Sequence, residues 1–140
     1  MAEDVFTWPV RVYWEDTDAG GIVFYANYLK FFERARTEWL RSLGIAQQAL
    51  REETGGMFVV SQTAARYLRP ARLDDALCVT AELVQAGRAV IEIGQKAWLG
   101  QGGPLLCEAT IRIAWVQADT LKPGRIPAAI LQRLNPDSHA

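Results

Sequence analysis

This chain of 140 residues has one histidine, His139, next to its last position, so the work of a base or nucleophile falls to other side chains. A Ser-His-Asp triad, a Cys-His pair and a histidine zinc site each need an imidazole held by a folded core, and a terminal histidine supplies none. The two cysteines, Cys78 and Cys107, stand in strand-like stretches without a CxxC partner and read as small core residues of a reducing compartment. Carboxylates remain. Asp16 and Asp18, separated by one residue, run directly into Gly20-Gly21 within EDTDAGGIVFYANY, residues 15–28.

The glycines let the chain reverse sharply, which brings Asp18 back toward the residues after Phe24. Those residues read as the start of a helix, with unpaired N–H groups and about half a positive charge. Such an end stabilises a carbonyl oxygen that gains negative charge. A carboxylate beside it could attack the carbonyl carbon to form an anhydride, or deprotonate a water. Ile22, Val23 and Phe24 would wall that carboxylate with apolar surface. The plainer use of an Asp-x-Asp pair before glycines is a turn or a helix cap. Asp16 is read that way, as an acceptor for loop amides, and Tyr28 is read as a core aromatic.

The elements that must hold these residues are set by the hydrophobic period. Residues 6–14, FTWPVRVYW, read as a strand with Val10, Val12 and Trp14 alternating against Arg11 and Tyr13, and Pro9 suits an edge. From about Ala26 to Leu43 the spacing turns helical: Tyr28, Phe32, Ala35, Trp39 and Leu43 form a stripe widened by Leu29 and Leu40. Gly44 fits a left-handed cap. Glu33 and Arg36, three residues apart, suit a helix pair, although Arg36 falls near the stripe and could instead reach a partner subunit or a buried acid. A shorter helix is expected over 45–53, ending at Gly55-Gly56. Strands are expected over 57–68, 76–86, 89–99 and 105–118, then a short helix near 128–134. Their tight turns at Gly87 and GQGGP (100–104) require antiparallel pairing. Asp74 and Asp75 read as fixing the proline-broken connection 69–75. Arg66, Arg69 and Arg72 could hold phosphates but read first as a solvated edge. The sum is a single α+β domain over 1–140, with a five-stranded antiparallel sheet wrapped around one long helix.

Composition narrows the function. A net charge of −1 leaves no footprint for nucleic acid or an anionic membrane. No apolar run approaches the ~18 residues of a membrane span. The opening MAEDVFTWPV has acids where a signal peptide carries lysines, so a cytoplasmic location is expected.

The pattern Asp16-Thr17-Asp18-Ala19-Gly20-Gly21-Ile22-Val23-Phe24-Tyr25-Ala26-Asn27-Tyr28, followed by FFERARTEWL, resembles the 4-hydroxybenzoyl-CoA thioesterase family of hotdog-fold proteins. SQTAARYLRPARLDDAL (61–77) and LLCEATIRIAWV (105–116) are similar to its YbgC branch, acyl-CoA thioesterases associated with the Tol-Pal envelope system. The resemblance implies the hotdog fold and hydrolysis of the thioester between an acyl group and coenzyme A. No metal or redox cofactor is called for, since coenzyme A enters as part of the substrate. Asp18 matches the catalytic carboxylate, and Tyr25 the residue whose backbone N–H holds the thioester oxygen. Gly21, Ile22, Val23 and Phe24 fall where substrate would lie. The family further implies edge-to-edge pairing into a homodimer or homotetramer with sites between subunits, and a peripheral Tol-Pal link.

Two departures shape that expectation. Many YbgC-type sequences carry histidine where this chain has Tyr25. The basic turn of the hydroxybenzoyl-CoA enzyme is here Ala86-Gly87-Arg88, which leaves Arg88 for the coenzyme A phosphates and favours a short- to medium-chain aliphatic acyl group. An acyl-CoA hydratase on the same fold is one alternative, weakened because that chemistry uses an Asp/His pair. A non-catalytic acyl-CoA-binding or assembly module is the other. Assembly is also expected from Trp98 and Val116, apolar residues that a lone copy would leave exposed.

Overall fold

The computed structural model describes residues 5–135, so His139 lies outside the described residues. In chain order the elements are β1 (Phe6–Arg11), a 3₁₀ turn (Trp14–Asp16), α1 (Asn27–Ser42), α2 (Gln47–Thr54), β2 (Gly56–Tyr67), β3 (Ala76–Ala86), β4 (Val90–Leu99), β5 (Leu105–Gln117) and α3 (Ala128–Leu134). The strands form one antiparallel sheet in the order β1-β3-β4-β5-β2. β3, β4 and β5 are a meander. β2 pairs with β5 instead of its sequence successor, because the connection after Tyr67 crosses the end of the sheet and delivers β3 beside β1.

The sheet wraps α1. Tyr28, Phe31, Phe32, Ala35, Trp39 and Leu40 are the helix residues that are buried, against Val79, Ile91, Ile93 and Ile111 of the inner sheet face. The buried face is rotated from the expected stripe. Phe31 is fully enclosed, whereas Leu29 is 39 % exposed. Gly44 takes a positive φ of 80° after α1, the conformation expected of its cap. Gly56 is required for another reason. A Cβ there would stand 2.2 Å from the Trp115 ring, so only glycine lets β2 start this close to β5.

One buried polar residue pins the helix to the sheet. Gln95 on β4 donates from Nε2 to the carbonyls of Phe32 (2.9 Å) and Thr80 (3.3 Å), and its Oε1 accepts from the Arg36 guanidinium at 3.4 Å. Arg36 therefore meets a neutral amide and not a buried acid. Burial pulls its pKa below the usual guanidinium value, with Glu33 opposing the shift. Among the described residues the helix ion pair is Arg41 with Glu38, not Arg36 with Glu33.

Two other expectations are corrected. The first strand ends at Arg11, because the Asp16 carboxylate accepts the Tyr13 N–H at 2.8 Å and draws the chain into its 3₁₀ turn. Val10 and Val12 are buried as expected, but Trp14 is turned outward and 79 % exposed. Val116 is buried, since the tail folds back and pairs Pro123 with it. Trp98 is half-buried. Exposed apolar side chains on the sheet edges are Trp8 on β1 and Val60, Tyr67 and Leu68 in and after β2, and Val84 is exposed on the interior strand β3. Among the described residues no helix is long and apolar enough to cross a membrane.

Candidate active site

The Asp-x-Asp segment is a small hairpin laid against the connection between β2 and β3. Thr17 pairs with Val23, and Ile22 pairs with Arg72, both antiparallel. Asp18 donates its N–H to the Ile22 carbonyl (2.9 Å), and Gly21, at φ +80°, donates to the Asp18 carbonyl (3.1 Å). Val23 N–H reaches Ala71 O (2.9 Å), and Leu73 N–H reaches Gly21 O (3.2 Å). The double glycine thus makes the reversal that its residue type allows.

Alternation across this three-segment patch sorts its side chains into two rows. Thr17, Val23 and Ala71 form one. Val23 and Ala71 belong to the core, so that row faces inward. Asp18, Ile22 and Arg72 form the other row, and Asp18 and Arg72 are exposed. Val23 therefore cannot wall the carboxylate as expected. Its side chain packs inward while Ile22 and Phe24 face out.

The two acids have different environments. Asp16 is 5 % exposed, and besides capping Tyr13 it accepts at its carbonyl from Phe24 N–H (3.0 Å) and Asn27 Nδ2 (2.8 Å). It ties the strand exit to the helix entrance. Asp18 is exposed, with Oδ1 accepting the Gly20 N–H at 2.8 Å. Its Oδ2 has no partner among the described residues, which leaves it open to water or an incoming carbonyl. A side chain at position 20 would crowd this carboxylate, with its Cβ only 3.2 Å from Oδ1.

The helix end lies a few residues on. Asn27, Tyr28 and Leu29 donate back to Phe24 (2.8 Å), Tyr25 (3.3 Å) and Ala26 (3.1 Å), a tight first turn. The N–H groups of Tyr25 and Ala26 have no acceptor among the described residues. Free donors at the positive end of a sixteen-residue helix are suited to a developing oxyanion.

Aromatic rings surround those donors. Tyr25 is 60 % exposed and stands against Phe24 (centroids 4.8 Å) and Tyr67 (5.8 Å). Tyr67 also meets Tyr28 at 5.7 Å, and the Tyr28 hydroxyl accepts the Ala71 N–H at 2.9 Å. Burial raises the pKa of both Tyr28 and Tyr67 above the ordinary phenol value, so both hydroxyls keep their protons. Nothing local in the sequence singles out Tyr67. It stands 42 residues from Tyr25, and no periodicity connects them.

Arg88 lies elsewhere within one chain. It is in the β3–β4 hairpin, at the far end of β3 from Arg72, and eleven strand residues separate the two ends by roughly 33 Å. Of the flagged arginines, Arg66 is paired with Glu108 at 3.2 Å. Asp75 accepts the Arg72 backbone N–H at 2.8 Å with its carboxylate and so fixes the connection, whereas Asp74 contributes its backbone carbonyl, which accepts from Arg11 at 2.8 Å.

Comparisons with known proteins identify the family. The profile of the Thioesterase superfamily matches residues 20–106. The chain is 45 % identical over 130 residues to "Acyl-CoA thioesterase YbgC" of Haemophilus influenzae, covering 93 % of this chain and 94 % of that protein. To "Acyl-CoA thioester hydrolase YbgC" of Escherichia coli O157:H7 it is 41 % identical over 131 residues, covering 94 % and 96 %. Among solved structures, a probable thioesterase from Bartonella henselae superposes with a TM-score of 0.81 at 32 % identity, covering 88 % of this chain and 99 % of that one.

Proposed function

The chain belongs to the Thioesterase superfamily, among the YbgC acyl-CoA thioesterases, and from that premise we propose that it hydrolyses an acyl-CoA thioester with its own Asp18 and the start of α1. The observation that carries this reading is the pair of unpartnered N–H groups at Tyr25 and Ala26, one short hairpin away from an exposed carboxylate with a free oxygen. The thioester oxygen is bound at those donors as it gains charge. Asp18 either attacks the carbonyl carbon, displacing the coenzyme A thiolate and leaving a mixed anhydride that water then hydrolyses, or removes a proton from a water that attacks directly. Coenzyme A leaves as the thiol and the acyl group as the acid.

The helix edge next to the donors supports a short- to medium-chain aliphatic acyl group. Tyr25 and Leu29 lie one turn apart on it, and the next positions on that side are Glu33 and Arg36. Apolar surface thus runs roughly 12 Å from Tyr25 before it meets charge, at 1.5 Å of rise per residue.

The site is completed by a second copy in this proposal. β2 is an edge strand with exposed Val60 and Tyr67, and Tyr67 touches Tyr25. Antiparallel pairing of two β2 edges about a two-fold axis lays the far end of one sheet beside this site, which accounts for Arg88 being distant within one chain.

The test is release of free thiol from a panel of acyl-CoAs running from acetyl to palmitoyl. Turnover that peaks at short to medium chains supports the proposal. Tight acyl-CoA binding without thiol release would make the chain a binding module instead.

A further inference from the structure

We infer that Arg72 and Arg69 are the phosphate anchors for the coenzyme A part of the substrate on the same chain as Asp18; this rests on the acyl-CoA reading above. Of the three arginines around the connection after β2, Arg66 is neutralised by Glu108 at 3.2 Å. Arg69 and Arg72 are exposed, and neither guanidinium has a carboxylate or hydrogen-bond partner among the described residues.

Their backbone is held firmly, which is what a positioning role needs. Leu68 and Arg69 both donate to the Leu106 carbonyl, at 2.8 and 3.1 Å, and Pro70 restricts the link between them and Ala71. Ala71 is fully buried, bonded to the Tyr28 hydroxyl (2.9 Å) and accepting from Val23 (2.9 Å). Arg72 donates its N–H to Asp75 Oδ2 at 2.8 Å and pairs with Ile22. The Asp75 carboxylate is therefore engaged with backbone rather than with the guanidinium.

Register then sets the direction. Asp18, Ile22 and Arg72 form one outward row across adjacent extended segments, so the Asp18 and Arg72 backbones stand about 10 Å apart. The guanidinium on that row makes no ion pair with Asp18 among the described residues. It is near enough to hold an anionic group tethered to a thioester at Asp18. Arginine suits that task, because its planar fork binds phosphate oxygens two at a time. A chain of net charge −1 that must bring a polyanionic substrate to a carboxylate needs such local cations.

The experiment compares one acyl group carried on coenzyme A, on 3′-dephospho-coenzyme A and on pantetheine. The proteins are wild type and the double variant Arg69→Gln/Arg72→Gln, with thermal unfolding confirming that the double variant folds. Wild-type turnover of acyl-CoA establishes the thioesterase reading independently. The double variant is expected to raise KM for acyl-CoA about ten- to a hundredfold, the scale of losing hydrogen bonds to a charged group, with kcat nearly unchanged. On acyl-pantetheine its KM should match wild type. A loss that persists on the dephospho thioester assigns the contact to the diphosphate, and a loss that disappears there assigns it to the 3′-phosphate. Should wild type turn over acyl-pantetheine too slowly to measure, inhibition by free coenzyme A and free pantetheine gives the same comparison. Equal losses on all three carriers, or no loss on acyl-CoA, overturn the inference while leaving the thioesterase reading intact.

Discussion

The ring of Tyr67, the last residue of edge strand β2, stands edge-on to the ring of Tyr25, with centroids 5.8 Å apart and planes at 82°. The residue with a free N–H at the helix start is therefore in direct contact with the strand that ends the sheet. Whatever covers that edge is felt at the site. Val60 is 49 % exposed on the same strand, and an unpaired edge offers its backbone to a second strand.

Assembly and activity should accordingly fall together. Light scattering at micromolar concentration is expected to give a dimer or tetramer. Val60→Glu, which sets like charges face to face on paired edges, should shift the protein toward monomer and lower turnover in proportion to the dimer lost. A wild-type monomer with full activity would refute both the assembly and the shared site.

The two acids of the hairpin should separate stability from chemistry. Asp18→Asn keeps an oxygen for the Gly20 N–H, so unfolding should scarcely change, while kcat falls at least about a hundredfold. Asp16→Ala removes the acceptor for Tyr13 and should cost about 1–3 kcal/mol, because a part-buried N–H loses its partner. Denaturant unfolding and thiol release on both variants check this. Near-normal turnover by Asp18→Asn would end the carboxylate mechanism.

Stability should fall at alkaline pH from an identifiable group. Burial, with a smaller contribution from Glu108, pushes the Cys107 thiol up to about 12, against an ordinary value of 9.0. The folded state thus holds that proton more tightly than the unfolded state. This contribution is complete below about pH 9 and is lost as pH rises toward about 12. Tyr28 and Tyr67, also raised by burial, act in the same direction. Under reducing conditions the denaturation midpoint should drop above pH 9, and Cys107→Ala, less stable at neutral pH, should show a shallower drop. Parallel curves for the two proteins would remove Cys107 as the cause.

The helix, the strands and the glycine reversal were legible because each is a local pattern. The stripe of α1, the caps at Gly44 and Gly55 and the Asp-x-Asp hairpin all lie within a few residues of their causes. The features that escaped the sequence are set by distance along the chain. The Tyr67–Tyr25 contact, the bond from Ala71 N–H to Tyr28 and the row that places Arg72 beside Asp18 depend on the β2–β3 connection crossing the sheet end. The inward turn of Val23 was missed for a related reason. Ile22, Val23 and Phe24 are alike in hydrophobicity, and only the pairing of Thr17 with Val23 decides which of them faces in.

At position 25 the backbone should matter more than the side chain. Tyr25→Phe keeps both the donor and the ring contact with Tyr67, so it should cost at most a few-fold in kcat. Tyr25→Ala keeps the donor but removes a ring that packs on Phe24 and Tyr67, and should cost more in stability than in kcat. Tyr25→Pro deletes the N–H at a place where a helix start tolerates proline. Losing one oxyanion donor lowers kcat roughly a hundred- to a thousandfold. Circular dichroism and light scattering must first show that the proline variant keeps its fold and assembly, since Tyr25 also touches the edge strand. The decisive comparison is proline against alanine, both without the ring and differing in the donor. An alanine variant as inactive as the proline one would place the catalytic element in the side chain, and the backbone donor would no longer explain the rate.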